Sequence, residues 1–355
     1  MKTNLGLAAL TVAGIAFAGL AGPSPSVAQD TITIASWGGA YSMSQRKAYY
    51  EPFAKETGIT VLEDEWDGSI GSIRAQVDTG NYKWAIVDSE PGTTMAGCDE
   101  GVLEPLDWSK LDRGPDDFLP GAALECGLGT ISWSTIFTYS AADYPGDSGP
   151  KNWADFWNIE KFPGRRGMYN SPIFNLEFAL LADGVSVGDL YDVLKGDGGI
   201  DRAFAKLEEI KEHVIWWAAG ALPPQLLNDG EVVMTTAWNG RIYNAVAEEG
   251  KNFVIVWDGQ GMDYDFWVIP KGHPDIDLAY KFLNFATRPD RQGDQTNYIS
   301  YGPLVKGADK YINADILPHL PTAPQNLKNY FKSDNQFWAD SREELTERFS
   351  AWLTQ

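Results

Sequence analysis

Histidine and cysteine are scarce in this chain. The three histidines, His213, His273 and His319, stand far apart, and Cys98 and Cys126 are the only thiols. No HExxH and no CxxC pattern occurs. A metal centre needs several such ligands at short spacing, so no metal site is expected and no cofactor is implied. There is no G-x-S-x-G elbow for a serine nucleophile. A secreted glycosidase would need two carboxyls opposed across one bond, and no such pair is set up here. The chain is therefore read as a protein that is not an enzyme. Basic residues are also few: 28 Lys and Arg stand against 49 Asp and Glu, a net charge of −21 at pH 7. Nucleic acid and anionic membranes are poor partners for such a surface, and cations are better ones. Long apolar runs are missing after residue 28, so no later segment is expected to span a membrane. Repeats and low-complexity tracts are lacking as well.

What is present starts with an address. Lys2 precedes the apolar run Leu5–Leu20, a Pro/Ser break follows at 22–26, and Ser26-Val27-Ala28 has small residues at both ends. This is the pattern of a cleaved secretory signal over residues 1–28, with the periplasm as destination. The remaining 327 of 355 residues exceed one ordinary core and suit two lobes. In an oxidising compartment Cys98 and Cys126 are expected to bond to each other. That link is worth roughly 3–4 kcal/mol in the chain-entropy model.

Strand and helix patterns alternate along the chain. The spacing predicts strands over 31–36, 60–65 and 84–88, with helices over 41–57 and 69–79 between them. Such a βαβαβ order makes a mostly parallel sheet covered by helices, which binds ligands beyond the carboxyl ends of its strands. Trp37-Gly-Gly-Ala-Tyr41 and Asp88-Ser89-Glu90 both fall at such ends. A β-rich stretch covers 130–140, and a Pro/Gly/Asp-rich segment follows at 143–150. Residues 164–167 read as a basic turn, 232–237, 253–257 and 265–269 as strands, and 342–353 as an amphipathic C-terminal helix. An α/β unit inserted between a first sheet and its returning strand gives two chain crossings, the geometry of a hinged clamshell.

Several motifs occur in a characteristic order: "SWGGAY" after the first strand, "VDSEP" after the third, then "NWADFWNIEKFPGRRG", "LLNDGEVVMTTAWNGR", "MDYDFWVIPKGHP", "YGPLVKGA" and "LPTAPQNLKN". Together they resemble the periplasmic solute-binding proteins of bacterial ABC importers, in the spermidine/putrescine-binding family. The resemblance implies an α/β fold, a two-lobed periplasmic-binding-protein clamshell of type II. Each lobe would hold a mixed, mostly parallel sheet flanked by helices. Lobe 1 would take residues 29–138 and 263–310, lobe 2 residues 139–262, and C-terminal helices at 311–355 would pack on the lobes. The partners implied are a small cationic organic ligand and the inner-membrane permease subunits, with the binder itself a monomer.

Carried onto this chain, the family pattern makes Trp37, Tyr41, Trp238 and Tyr301 the rings that box the ligand. Ser89 matches its small polar residue, and Asp265 its carboxylate. Glu90 lies at the same strand end. Asp263 alternates with Asp265 and so shares its strand face. On the second lobe, where the polyamine binders carry further acids, "MYNSPIFNLEF" offers Asn170 instead. A polyamine such as putrescine or spermidine is the leading expectation. A shorter amine, a betaine, a guanidino compound, an opine or amino acid, or a sugar stays open beside it. If Arg241 points inward, a ligand carboxylate is implied, because a guanidinium pairs with carboxylate through two bonds.

Overall fold

The computed structural model describes residues 30–355; the expected signal over 1–28 lies outside them. Ten strands form one sheet: β1 (Thr31–Ser36), β2 (Thr60–Glu65), β3 (Ile86–Ser89), β4 (Leu128–Ser140), β5 (Arg166–Tyr169), β6 (Val214–Trp217), β7 (Met234–Trp238), β8 (Phe253–Val268), β9 (Gly302–Pro303) and β10 (Tyr330–Lys332). The order is β2-β1-β3-β8-β4-β7-β5-β6, with β10 beside β8 and β9 beside β4. β2-β1-β3 and β7-β5-β6 are each parallel, as βαβ connections require. Two long antiparallel strands, β4 and β8, join these halves. β8 meets β3 through Ser89↔Phe266 near its end, whereas β4 meets β7 through Thr135↔Trp238. The chain thus crosses between two lobes along paired strands.

Local chemistry explains the main elements. In β1 the alternation Thr-Ile-Thr-Ile buries Ile32 and Ile34 on one face. The following helix runs through Gly39–Gln45, a π-helical stretch Arg46–Tyr50, and Glu51–Thr57, and stops at Gly58 in the left-handed region. Tyr49, Tyr50 and Phe53 on it pack with Ile86, Trp267 and Phe282 as the core of the first half. In the second half Phe137, Trp153, Phe156 and Phe178 form an aromatic core, with the Trp153 and Phe178 rings stacked at 3.7 Å.

Three local readings change. Residues 253–268 make one strand, not two, because the intervening glycines bend β8 without ending it. Gly259 sits at φ +67° under Trp153, and a Cβ on Gly261 would meet the Phe174 ring at 2.4 Å. The basic turn at 164–167 is the entry to β5: Arg166 is buried and donates to the carbonyls of Phe156, Gly164 and Asn158. The C-terminal helix is longer than its amphipathic pattern, Asn335–Leu353, and starts where the Asp334 side chain accepts from Phe337 N at 3.0 Å. It lies across both halves. Its first turns sit on helix Pro91–Asp99 through Trp338 and Arg342, and its last turns meet Phe204 and Trp216. Cys98 and Cys126 are bonded, tying the end of Pro91–Asp99 to the segment before β4.

Candidate functional site

β1 ends at a turn that only glycine tolerates. Gly38 and Gly39 have φ of +66° and +56°, and a Cβ on Gly38 would sit 2.4 Å from the Glu65 carboxylate. The turn swings Trp37 and Tyr41 toward the end of β3, where Asp88 is fully buried. Trp37 Nε1 donates to Asp88 Oδ1 at 3.1 Å. The Tyr41 hydroxyl and Gln45 Nε2 donate to Oδ2 at 2.7 and 2.6 Å. So two large aromatics can end this strand because one buried carboxyl satisfies both polar atoms while leaving ring surface exposed to a cavity.

Asp265 comes to the same place from β8, opposite Ile131 in the β4 register. Its Oδ1 accepts from Trp133 Nε1 at 2.7 Å, and its carboxyl stands close to that of Asp88. Burial pushes Asp88 up to about 7, against the donors around it. Burial also raises Asp265 well above the carboxylate range, and the charges of Asp88 and Glu90 raise it further. Two buried carboxyls in contact cannot both ionise cheaply, so the pair holds a proton near neutrality. An ammonium group would replace that proton.

From the other half, β7 ends at Trp238, whose ring is fixed by Trp217, Tyr169 and Trp133 with centroids 5.5, 5.6 and 6.3 Å away. One turn into the next helix stands Arg241, buried, with its guanidinium 5.8 Å from the Trp238 ring centre and 6.0 Å from that of Tyr41. It donates to the carbonyls of Gly38 at 2.7 Å and Trp37 at 3.2 Å, so it reaches across to the first half, while its Nε has no partner. Tyr301 completes the wall, edge-on to Tyr41 at 5.5 Å. The cleft these residues line is narrow, with about 20 Å³ of space inside it.

Six residues named from sequence line it: Trp37, Tyr41, Glu90, Trp238, Asp265 and Tyr301. Three are placed elsewhere. Ser89 is buried in β3 with its hydroxyl turned to the Glu90 carbonyl. Asn170 is exposed on the loop after β5, in a wide groove beside the C-terminal helix. Asp263 lies in a neighbouring small cleft with Ser333, Asn335 and Arg342, which Glu90 and Trp133 also line. Sequence reasoning passed over Ile131 and Trp133 and left Arg241 open; all three line the cavity. It placed Asp88 at a ligand-facing strand end without naming it as a site residue, although a charged residue closing the buried run "WAIVD" was a usable signal.

A family model described as bacterial extracellular solute-binding protein matches residues 48–322. The chain belongs to this family. Its role as the substrate-binding component of an ABC transporter follows. Among its relatives is the gamma-aminobutyric acid-binding protein of Pseudomonas aeruginosa, 41% identical over 346 residues, covering 98% of this chain and 96% of that one. The putrescine-binding periplasmic protein PotF of Escherichia coli is 23% identical over 294 residues, covering 74% and 76%. Among solved structures, MotA of Agrobacterium tumefaciens in complex with glucopine superposes with a TM-score of 0.85 at 32% identity, covering 91% of this chain and 99% of that one. A GABA receptor superposes at 0.80 and 32% identity, covering 91% and 98%. The relatives of this solute-binding protein therefore include binders of amines, of an ω-amino acid and of an opine.

Proposed function

We propose that this protein captures a small ω-amino acid of the 4-aminobutyrate type in the cavity between its lobes. One observation carries the reading: a buried carboxyl pair and a buried arginine line the same aromatic cavity, from opposite halves of the sheet. The ammonium goes to Asp265 and Asp88, the carboxylate to Arg241, and the methylenes lie between Trp37, Tyr41, Trp238 and Tyr301. The relatives that bind GABA support this choice. A polyamine would place its second ammonium against Arg241, a repulsion between like charges. The lobes fall at 29–138 with 263–310 and at 139–262, and residues 311–355 bind them together. The protein turns over nothing. It works as a monomer in the periplasm after removal of residues 1–28, binds no nucleic acid, and delivers its ligand to inner-membrane permease subunits.

Calorimetry with 4-aminobutyrate, putrescine, betaine and glucose tests the reading. The ω-amino acid should bind most tightly. Asp265→Asn should cost about 2–4 kcal/mol, since a buried cation loses its partner. Arg241→Met should cost a similar amount, about 2–5 kcal/mol, and only for ligands with a carboxylate. Tighter binding of putrescine or glucose than of every amino acid would overturn it.

A further inference from the structure

The cavity has one more acid than a zwitterion needs. Glu90 lines it beside Asp265, and its charge adds to the repulsion felt by both Asp265 and Asp263. Outside the cavity, Arg342 reaches in from the C-terminal helix. Its Nη2 lies 3.3 Å from Glu90 Oε2, and its Nη1 donates to the Thr93 hydroxyl on the helix that Glu90 caps. Both side chains are largely shielded, 30% and 15% exposed, so the pair is screened less than a surface ion pair. Paired in this way, Glu90 adds little net charge beside the cavity. Without Arg342, Glu90 would leave one uncompensated negative charge there. The added potential does little to a ligand of zero net charge and much to a dication.

We propose that Arg342, a residue of the C-terminal helix that does not line the cavity, sets the charge class of the ligand by neutralising Glu90, so that the site takes a net-neutral amino acid and refuses an aliphatic diamine. This rests on the ω-amino-acid reading for the first half of the statement only; the exclusion of the diamine stands on the Glu90–Arg342 geometry. Arg342 is a positioning residue, acting through Glu90.

The test uses the mature protein and four variants: Arg342→Gln, Arg342→Lys, Glu90→Gln and the double Arg342→Gln/Glu90→Gln. Each is titrated calorimetrically with 4-aminobutyrate and with putrescine at one low ionic strength, after its melting temperature confirms folding. Arg342→Gln should shift the ratio of affinities toward putrescine by roughly tenfold or more, the size of one uncompensated charge at close range. Arg342→Lys should keep the wild-type ratio, and the double variant should return to it. A merely structural role for Arg342 would weaken both ligands together and leave the ratio alone. A ratio within twofold of wild type in Arg342→Gln, or no detectable putrescine binding in it, overturns the inference. If the wild type binds no ω-amino acid, the functional reading fails by itself. The gain in putrescine affinity, and its loss in the double variant, still decide the role of Arg342.

Discussion

Glu177 shows how much a single buried carboxyl can weigh. It sits in helix Asn175–Ala182, fully buried, with Oε1 accepting from the Tyr191 hydroxyl and from Trp338 Nε1, both at 2.8 Å. Oε2 has no hydrogen-bond partner. Burial raises its proton affinity to about 7. The folded protein therefore binds more protons here than the unfolded chain between roughly pH 4 and 7, and stability falls as pH rises through that window. Asp88 and Asp265 act in the same direction. Glu177→Gln keeps the shape and both donors' partner while removing the titration. We predict that it raises the stability of the ligand-free protein by about 2–4 kcal/mol at pH 8 relative to pH 5, compared with the wild type. Urea denaturation at the two pH values checks this; equal changes in both proteins would show that Glu177 carries its charge in the fold.

At the scale of elements, the "WNG" segment after β7 starts a helix and anchors it. Asn239 and Gly240 open helix Asn239–Ala247, and the Asn239 side chain links two distant segments. Its Oδ1 accepts from Ser134 N at 3.0 Å, and its Nδ2 donates to the Ser300 carbonyl at 2.7 Å. Gly240 is demanded by contact: a Cβ there would lie 2.6 Å from the Tyr301 ring and 2.7 Å from Ile299. Gly240→Ala is expected to push Tyr301 toward the cavity. Overpacking of this kind costs about 1–3 kcal/mol of stability. Affinity for the best ligand should fall as well, because the moved ring occupies ligand space. A melting curve and a titration of the one variant suffice, and unchanged affinity would place Tyr301 outside the binding volume.

At the scale of the whole molecule, the two paired strands β4 and β8 carry the chain across, while the groups facing the cavity are divided. Asp88 and Asp265 belong to one side, Trp238 and Arg241 to the other. On the proposed reading a ligand with both charges would hold the sides together, whereas a ligand with one charge would engage a single side. We expect 4-aminobutyrate at 100 times its dissociation constant to stabilise the protein by about 2.7 kcal/mol. It should also reduce the radius of gyration measured by solution scattering. Butylamine and butyrate, each with one of the two charges, should do neither at the same concentration. Compaction by either monofunctional ligand would count against closure across the two charges.

The elements and the family were legible in the sequence because the forces behind them are local. Alternation buries Ile32 and Ile34 in β1, Gly58 ends a helix in its left-handed conformation, and the motif order marks the clamshell. The aromatic positions 37, 41, 238 and 301 were legible too, since each stands at a strand end or beside a glycine turn. Partners far apart in the chain were another matter. Trp37 meets Asp88 across 51 residues and Trp133 meets Asp265 across 132. Arg342 reaches Glu90 only because the last helix folds back over both halves. These pairings depend on which strands become neighbours, and sheet order is set by the burial of the whole core rather than by any one segment. Sequence alone thus determined a two-lobed binder with an aromatic, acidic cleft. Only the tertiary structure decided that Arg241 faces the same cavity as Asp265, because that meeting depends on which strands become neighbours.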